Sequence, residues 1–371
     1  IKMKPIEELK NKIIQGDCME VMREMPDNSI DTIITDPPYG LNFMGKGWDN
    51  FGTDLQKYQE WTRRWAIEAL RIAKPGATLL CFGSPRTYHR LTCAIEDAGW
   101  IIKDCIMWVY GSGFPKSLNI GKAVDKLQGN EREISGYEER FGREGRKANC
   151  GFKKEYVGAS GTQDQSAMKP IMLPVSEEAK QWEGWGTALK PAYEPIIMAM
   201  KPNEGSYAEN ALKWGVAGLN IDESRVGTEI ITQRLATVEG GKAIGGKGVG
   251  IKQKATGETT TTIDRFPANL IHDNSEEVRE CFPESKSGAR KKGDHKDYDA
   301  SSYKFGGLYS EDVPAESGNA SRFFKSILYY PKASKSERNK GCEGLVKNNH
   351  PTVKPLKLME YLCLLTKTPT G

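Results

Sequence analysis

The stretch Thr35-Asp36-Pro37-Pro38-Tyr39-Gly40 follows directly on Ile30-Asp31-Thr32-Ile33-Ile34, a β-branched run bounded by turn residues. Such a run predicts a buried strand. The two prolines end it, because proline has no N–H and fixes φ, so the chain leaves the sheet in a defined direction. An acid and an aromatic ring therefore stand at the carboxyl end of a strand, which is the edge where open α/β sheets bind ligands.

The residue types in this stretch are suited to binding an amino group. The carboxylate of Asp36 and the carbonyl of Pro37 are both acceptors, and they can converge on one exocyclic amine. Tyr39 can stack on the ring that carries the amine, and Pro38 keeps the turn rigid. Such a pocket fits a nucleobase that has left its helix. The alternative is that Asp-Pro-Pro only ends the strand; the aromatic residue and the preceding strand favour the functional interpretation.

Upstream of this stretch, residues 12–17 predict a short strand that ends in Gly16-Asp17, and residues 18–25 predict a helix. Strand, helix and strand in this order form a βαβ unit of a parallel sheet. We therefore expect Asp17 at the carboxyl end of the neighbouring strand, on the same edge as Asp36. It can cap the helix, contact a ligand, or do both.

Downstream, the alternation continues with a helix over 58–74, a strand over 77–83, a helix opened by Ser84-Pro85 and a strand over 100–110. This predicts a doubly wound, mostly parallel α/β sheet.

The glycine-rich loop 40–52 carries Phe43, Trp48 and Phe51, and it contains Lys46. It is either a mobile loop over the pocket or a surface loop whose aromatic residues pack into the core.

After Tyr110 the pattern breaks, and two polar tracts interrupt the predicted core. The expected organisation is a catalytic core (1–110), a basic loop-rich insertion (111–185), a return strand (186–202), a target-recognition region (203–320) and a second return to the core (321–371). Basic, glycine-rich tracts suit a surface that follows phosphates, although solvated insertions have the same composition. The candidate DNA contacts are Lys46, Arg143, Arg146, Lys147, Arg290, Lys291 and Lys292.

Composition sets outer limits on the class of protein. The chain has 371 residues, enough for one large or two ordinary domains, and a net charge of +4, too small to indicate a nucleic-acid partner alone. Eight cysteines occur without a C-x-x-C pair, which favours reduced cytoplasmic thiols over zinc or disulfides. No apolar run approaches the 18 residues or so of a membrane span.

Three motifs match one family in order. Gly16-Asp17, then Asp36-Pro37-Pro38-Tyr39, then His350-Pro351-Thr352-Val353-Lys354-Pro355 resemble the circularly permuted, beta-type DNA amino-methyltransferases, which use S-adenosylmethionine. The loop 43–49, Tyr193-Glu194 and Arg322-Phe323-Phe324 are similar to the subgroup found in phages and prophages.

The resemblance implies a role for each matched residue. Asp36 and the Pro37 carbonyl would accept hydrogen bonds from the target amine, and Tyr39 would stack on the flipped base. The residues implied to hold the cofactor are Asp17, His350, Thr352 and Lys354. The methyl group would pass in line from the sulfonium to nitrogen, without a cysteine nucleophile.

The same resemblance implies the substrate and the setting. Aspartate rather than serine at position 36 favours adenine N6 over cytosine N4 in double-stranded DNA. The alternatives are cytosine-N4 methylation, a catalytically inactive DNA-binding remnant and RNA methylation. The expected location is the cytoplasm of a bacterium or a phage-infected cell, and whether a cognate restriction endonuclease accompanies the chain is left open.

One feature departs from the family pattern. The family places a glycine-rich cofactor strand, of the FxGxG type, directly after the helix that follows HPTxKP, and Gly371 stands where that strand would begin. The expectation is that the sequence is a fragment of a longer protein and that alone it binds the cofactor poorly.

Overall fold

The computed structural model describes the residues 5–42, 45, 47–52, 54–111, 113, 117–139, 168–226, 230–234, 258–262, 265–287, 316–327, 335–342, 348 and 353–369. The chain divides into two compact units. Unit 1 comprises Ile1–Ser112 and Ala192–Gly371, and unit 2 comprises Gly113–Pro191. None of the helices in the described ranges has the length and apolarity needed to cross a membrane.

The described strands, in chain order, are β1 (Ile30–Thr35), β2 (Ala73–Phe82), β3 (Ile101–Val109), β4 (Ile134–Glu139), β5 (Met168–Met172), β6 (Tyr193–Met200), β7 (Ile230–Arg234), β8 (Glu258–Thr262), β9 (Leu270–His272), β10 (Glu284–Ser287), β11 (Glu316–Asn319) and β12 (Lys325–Ser326). The described helices are α1 (Cys18–Arg23), α2 (Leu55–Ile72), α3 (Tyr88–Asp97), α4 (Ile120–Leu127), α5 (Glu177–Gln181), α6 (Tyr207–Trp214), α7 (Glu276–Arg279), α8 (Lys335–Asn339) and α9 (Leu356–Thr366).

Unit 1 is built on a six-stranded sheet in the order β1-β2-β6-β3-β9-β12. The β1–β2, β3–β9 and β9–β12 pairs are parallel. Strand β6 runs antiparallel to both of its neighbours, β2 and β3. A mostly parallel sheet of this kind, with one reversed strand, confirms the predicted α/β class.

Side chains of β2 alternate between the two faces of the sheet, as the two-residue period of a strand requires. Leu79 and Cys81 belong to one buried cluster, which also holds the apolar faces of α2 and α3. Leu80 and Phe82 belong to another, which holds the buried face of α9. Each fully buried leucine contributes roughly 1.5–3 kcal/mol. Helices therefore cover both faces, as a doubly wound sheet requires.

The prediction of a strand over 12–17 is wrong, because residues 12–15 have no regular structure. Ile13 and Ile14 are 53% and 42% exposed. A strand needs a hydrogen-bonded neighbour, and among the described residues β1 pairs with β2 alone. The helix that follows does form, with Asp17 at its N-cap, where Oδ1 accepts from the N–H of Met19 at 2.8 Å.

Other boundaries also differ from the sequence prediction. Helix α3 begins at Tyr88 with Thr87 at the N-cap, one turn later than Ser84-Pro85 suggested. Residues 85–87 instead form a turn, in which the N–H of Thr87 donates to the Ser84 carbonyl. The second return to the core, predicted over 321–371, opens within the 3₁₀ turn Ala320–Phe323, and the strand that follows, β12, comprises only two residues.

Candidate active site

The loop that follows β1 is held from behind by two hydroxyl groups. The hydroxyl of Tyr58 on α2 donates to the Pro38 carbonyl at 3.1 Å, and the hydroxyl of Thr87 donates to the Tyr39 carbonyl at 2.7 Å. Thr87 is the N-cap residue of α3 but makes no side-chain cap hydrogen bond, so the contact with the Tyr39 carbonyl is what its hydroxyl contributes. Among the described residues, the Pro37 carbonyl has no hydrogen-bond donor, so it stays open to a ligand.

Asp49 holds the backbone of the loop at Gly40 and Leu41. Its carboxylate is buried and accepts from the N–H of Gly40 at 2.7 Å and from the N–H of Leu41 at 3.1 Å. Gly40 has φ +68°, and a Cβ there would lie 3.0 Å from the Tyr58 ring. Only glycine fits this combination of a left-handed backbone and close ring contact.

The two described aromatic side chains of the loop 40–52 differ in how they are packed. Phe51 packs against Tyr58 and Trp61, with ring centroids 5.2 and 5.4 Å apart, as expected for a loop anchored in the core. Trp48 is 47% exposed. Phe43 lies outside the described residues.

Lys354 joins the segment before α9 to the end of β1. Its ammonium Nζ lies 2.6 Å from Oε2 of Glu194, 2.8 Å from the Tyr39 hydroxyl and 3.4 Å from Oδ1 of Asp36. The ammonium also lies 4.8 Å from the centre of the Phe82 ring, at the end of β2. Side chains 160 and more positions apart in sequence thus meet at one edge of the sheet. We call Asp36, Tyr39, Glu194 and Lys354 the acid–lysine cluster.

The Tyr39 hydroxyl stands between the two carboxylates. It lies 2.9 Å from Oδ1 of Asp36 and 3.2 Å from Oε2 of Glu194. A phenol has one proton, so it can donate to only one carboxylate at a time while it accepts from Lys354. Within the described part of the chain, both contacts of Asp36 fall on Oδ1, and Oδ2 accepts no hydrogen bond.

Ionisation in the cluster follows from burial and charge. Burial raises the pKa of Asp36; Lys354 and the Tyr39 hydroxyl oppose this rise, and the charge of Glu194 adds to it, so the pKa ends above its usual value. Burial, Glu194 and Asp36 together hold the pKa of Tyr39 well above its usual value. For Lys354, burial opposes the charged form, but Glu194 and Asp36 outweigh it and raise the pKa.

The structure brings together Asp36, Tyr39 and Lys354 from the predicted set, with Pro37 and Pro38 between the first two. Asp17 lies at the N-cap of α1, on an exposed stretch. The remaining predicted residues lie outside the described residues: His350, Thr352, Lys46, Arg143, Arg146, Lys147, Arg290, Lys291 and Lys292.

Three residues with direct roles in the geometry had no assigned role in the sequence analysis. Glu194 is the one acid in the run Tyr193-Glu194-Pro195-Ile196-Ile197, and an acid in an otherwise apolar strand was the available signal. Asp49 and Thr87 gave no such signal, because Asp and Thr are ordinary loop and cap residues. Their importance depends on tertiary hydrogen bonds.

Fold and geometry together describe an α/β domain with a candidate ligand site at the carboxyl edge of its sheet. The model of a family described as DNA methylases, of the N6/N4 type, matches residues 30–371. The chain therefore belongs to the N6/N4 DNA methylase family.

Individual relatives agree with this family. The chain is 36% identical over 100 residues to the type II methyltransferase M.BamHI of Bacillus amyloliquefaciens, covering 25% of this chain and 23% of that protein. It is 24% identical over 244 residues to the type II methyltransferase M.HindIII of Haemophilus influenzae, covering 56% of this chain and 64% of that protein. The chain thus spans less than two thirds of the length of each of these relatives.

Solved structures are more distant. The cytosine-N4-specific PvuII DNA methyltransferase is 14% identical, with a TM-score of 0.27 over 55% of this chain and 62% of that one. The complex of M1.HpyAVI with SAM is 17% identical, with a TM-score of 0.24 over 52% of this chain and 55% of that one.

Proposed function

We propose that the protein transfers a methyl group from S-adenosylmethionine to the N6 amine of adenine in double-stranded DNA, after the base has been flipped out of the helix. The observation that carries this proposal is the pair of open acceptors at the end of β1. Oδ2 of Asp36 and the Pro37 carbonyl have no described donor, whereas the Pro38 and Tyr39 carbonyls are both occupied. An amine has two N–H donors, which this pair can accept.

Accepting both protons changes the reactivity of the amine. Its lone pair is otherwise delocalised into the purine ring; hydrogen bonds to Asp36 and the Pro37 carbonyl draw density back to nitrogen and orient it for attack. The hydroxyls of Tyr58 and Thr87 keep the loop in place, so the acceptors are preorganised before the base arrives. Asp36 is also the nearest base for the proton that nitrogen releases after transfer.

The cluster suits a cationic methyl donor. Two carboxylates face one ammonium, which leaves a net negative charge when all three are ionised. When bound, S-adenosylmethionine supplies a methyl group on a positively charged sulfonium. Asp17, His350 and Thr352 are the residues that would hold it. The resemblance implies that Lys354 also holds the cofactor. Its contacts favour a different role, which is to hold Asp36 and Tyr39 in position.

Tyr39 would stack on the flipped base. Its hydroxyl is fixed by Asp36 and Lys354, so the ring has little freedom to turn. The two polar tracts, 111–185 and 203–320, would face the duplex, with Arg143, Arg146, Lys147, Arg290, Lys291, Lys292 and Lys46 on phosphates. Base-edge contacts from 203–320 would select the target sequence.

The test is methyl transfer by the full-length gene product. Labelled S-adenosylmethionine is incubated with mixed-sequence duplex DNA, and the DNA is digested for mass spectrometry of its nucleosides. We expect N6-methyladenine from the wild type and none from Asp36→Ala. Detection of N4-methylcytosine instead would identify cytosine as the target base. Preferential labelling of RNA, when duplex DNA and RNA compete, would identify RNA as the substrate. DNA binding without any methyl transfer would support an inactive remnant, and full activity in Asp36→Ala would refute the role of Asp36.

A further inference from the structure

Glu194 is the least explained member of the acid–lysine cluster. It lies on β6, the reversed strand, whereas Asp36 and Tyr39 follow β1, and β2 separates these two strands in the sheet. Its Oε2 accepts from Lys354 at 2.6 Å and from the Tyr39 hydroxyl at 3.2 Å. Its side chain is 22% exposed. A second carboxylate in a half-buried site has a desolvation cost and repels Asp36, so its presence needs a reason.

The distances show what Glu194 does to its neighbours. Nζ of Lys354 lies 2.6 Å from Oε2 of Glu194 but 3.4 Å from Oδ1 of Asp36. Without Glu194, the ammonium would be free to settle on Asp36 as a close ion pair, and such a pair would occupy the acceptor that the substrate amine needs. With Glu194 present, the ammonium is held to one side, at Oδ1, and no described residue donates to Oδ2.

We propose that Glu194 is a positioning residue of the site, which holds Lys354 and the Tyr39 hydroxyl away from Oδ2 of Asp36 so that this oxygen can accept the substrate amine. The inference rests on the proposed methyl transfer and adds a residue to it. Glu194 acts through Lys354 and Tyr39, and contacts neither substrate nor donor.

The ionisable groups around Asp36 fix the direction of the expected change. In the described residues these are Tyr39 on its own loop, Glu194 on β6, Lys354 before α9 and the buried Cys81 thiol on β2. The charge of Glu194 adds to the pKa of both Asp36 and Lys354. Neutralising Glu194 should therefore lower both values.

The experiment compares Glu194→Gln, Glu194→Asp and the wild type in the full-length protein. Glu7→Gln is the matched control, because Glu7 also pairs with a lysine, Lys10, but on an exposed surface outside the two polar tracts. Single-turnover methyl transfer to duplex DNA is followed across pH. In parallel, the Lys354 ammonium is titrated by NMR with carbon-13 at the lysine ε position, and Lys354→Met assigns its signal.

For Glu194→Gln we expect a single-turnover rate about tenfold lower, from misplacement of the acceptor, with DNA affinity within about threefold of wild type. The acid limb of its pH–rate profile should move to lower pH, and Lys354 should titrate at lower pH. Glu194→Asp keeps the charge and should restore both titrations while the rate stays reduced. Glu7→Gln should match the wild type throughout.

Three outcomes would overturn the positioning role. They are an unchanged rate in Glu194→Gln, a reduced rate with unmoved titrations, which would indicate general structural damage, and a loss confined to DNA affinity. If the wild type transfers no methyl group while Glu194→Gln still shifts the Lys354 titration, the methyl-transfer proposal fails and the arrangement of the cluster stands.

Discussion

Asp36 in unit 1 and Asp125 in unit 2 are both carboxylates beside a basic side chain, but their surroundings are opposite. Asp36 shares one lysine with Glu194, and its Oδ2 accepts no hydrogen bond from the described residues. Asp125 is buried, and both of its oxygens accept: Oδ2 from the Arg132 guanidinium at 2.6 Å and from the Val175 N–H at 3.1 Å, and Oδ1 from Ser176.

The pKa of each carboxyl follows from these contacts. Burial alone would raise the pKa of Asp125, but the N–H groups of Ser176 and Val175 and the Arg132 side chain outweigh it and hold the pKa well below its usual value. The pKa of Asp36 lies above its usual value. A carboxylate with every acceptor occupied stabilises a fold, whereas one with an open oxygen and a raised pKa is typical of a functional site.

Replacing Asp36 by Asn tests whether methyl transfer needs the carboxylate at this position. We expect methyl transfer to fall by about 10²–10³-fold, because the open carboxylate acceptor is lost. The melting temperature should stay the same or rise. Because the folded-state pKa of Asp36 is raised, its ionised carboxylate destabilises the folded protein at neutral pH, and asparagine removes that charge. Activity and thermal unfolding of the full-length protein measure the two effects. A matching loss of stability would show that Asp36 is structural, as Asp125 is.

Asp125→Ala should give the reverse pattern within unit 2. The change leaves the Arg132 guanidinium, 5% exposed, without its closest carboxylate and removes the acceptor for two N–H groups. Amide hydrogen exchange in α4 should be at least about tenfold faster, while α2 in unit 1 should exchange as before. Asp222→Asn is the control, because Asp222 also pairs with an arginine but is 88% exposed. Unchanged exchange in α4 would contradict the structural role of Asp125.

The sequence predicted one of these two carboxylates and not the other. Asp36 was found because prolines, an aromatic residue and a strand surround it in one short stretch. Asp125 lies in the helical run Ile120–Leu127, where an acid every few residues is ordinary. Arg132 is seven positions away, but the Val175 and Ser176 N–H groups that complete its contacts are 50 and 51 positions away. Asp49 received no role for the same reason, and the partners that reveal the role of Glu194 are also distant in sequence. Local pattern indicates secondary structure and compact motifs, whereas contacts between distant segments require the fold.

The wrong prediction of a strand over 12–17 also arises because local pattern does not report contacts between distant segments. Its residue pattern satisfies the local rules for a strand, but strand formation depends on a neighbour in the sheet, and Ile13 and Ile14 remain exposed. Strands β1, β2, β3 and β6 and helices α2 and α9 were predictable because each has an apolar face that the two cores bury.

Acid pH should separate the two carboxylates again. The folded-state pKa of Asp125 is lowered, so its stabilisation is fully present above the usual value of 3.8 and is lost as pH falls below it. The folded-state pKa of Asp36 is raised, so its ionisation removes stability as pH rises above 3.8. Lowering the pH from 7 to 3 should therefore speed exchange in α4 of the wild type, after correction for intrinsic rates. Asp125→Ala should lose this pH dependence.

The loop that carries Asp36 offers a smaller test. Gly40 and Gly45 have nearly the same backbone, φ +68° and +67°, but a Cβ at Gly40 would meet the Tyr58 ring at 3.0 Å and one at Gly45 would meet no described atom within 4 Å. Gly40→Ala should cost about 1–3 kcal/mol of unfolding free energy and reduce methyl transfer. Gly45→Ala carries the same backbone strain without the contact. Equal effects in the two variants would mean that contact with Tyr58 does not hold the loop.

The smallest expected effect concerns the hydroxyl that holds the loop from behind. Thr87→Val keeps the shape of the side chain but removes the 2.7 Å hydrogen bond to the Tyr39 carbonyl, which should cost about 1 kcal/mol in denaturant unfolding. Thr92→Val is the matched control, because the Thr92 hydroxyl donates to a carbonyl within its own helix, that of Tyr88, at 2.8 Å. If Asp36 depends on a rigid loop, Thr87→Val should also lower methyl transfer several-fold and Thr92→Val should not. A stability loss without an activity loss would show that the open acceptors need no support from α3, and that the acid–lysine cluster alone sets their geometry.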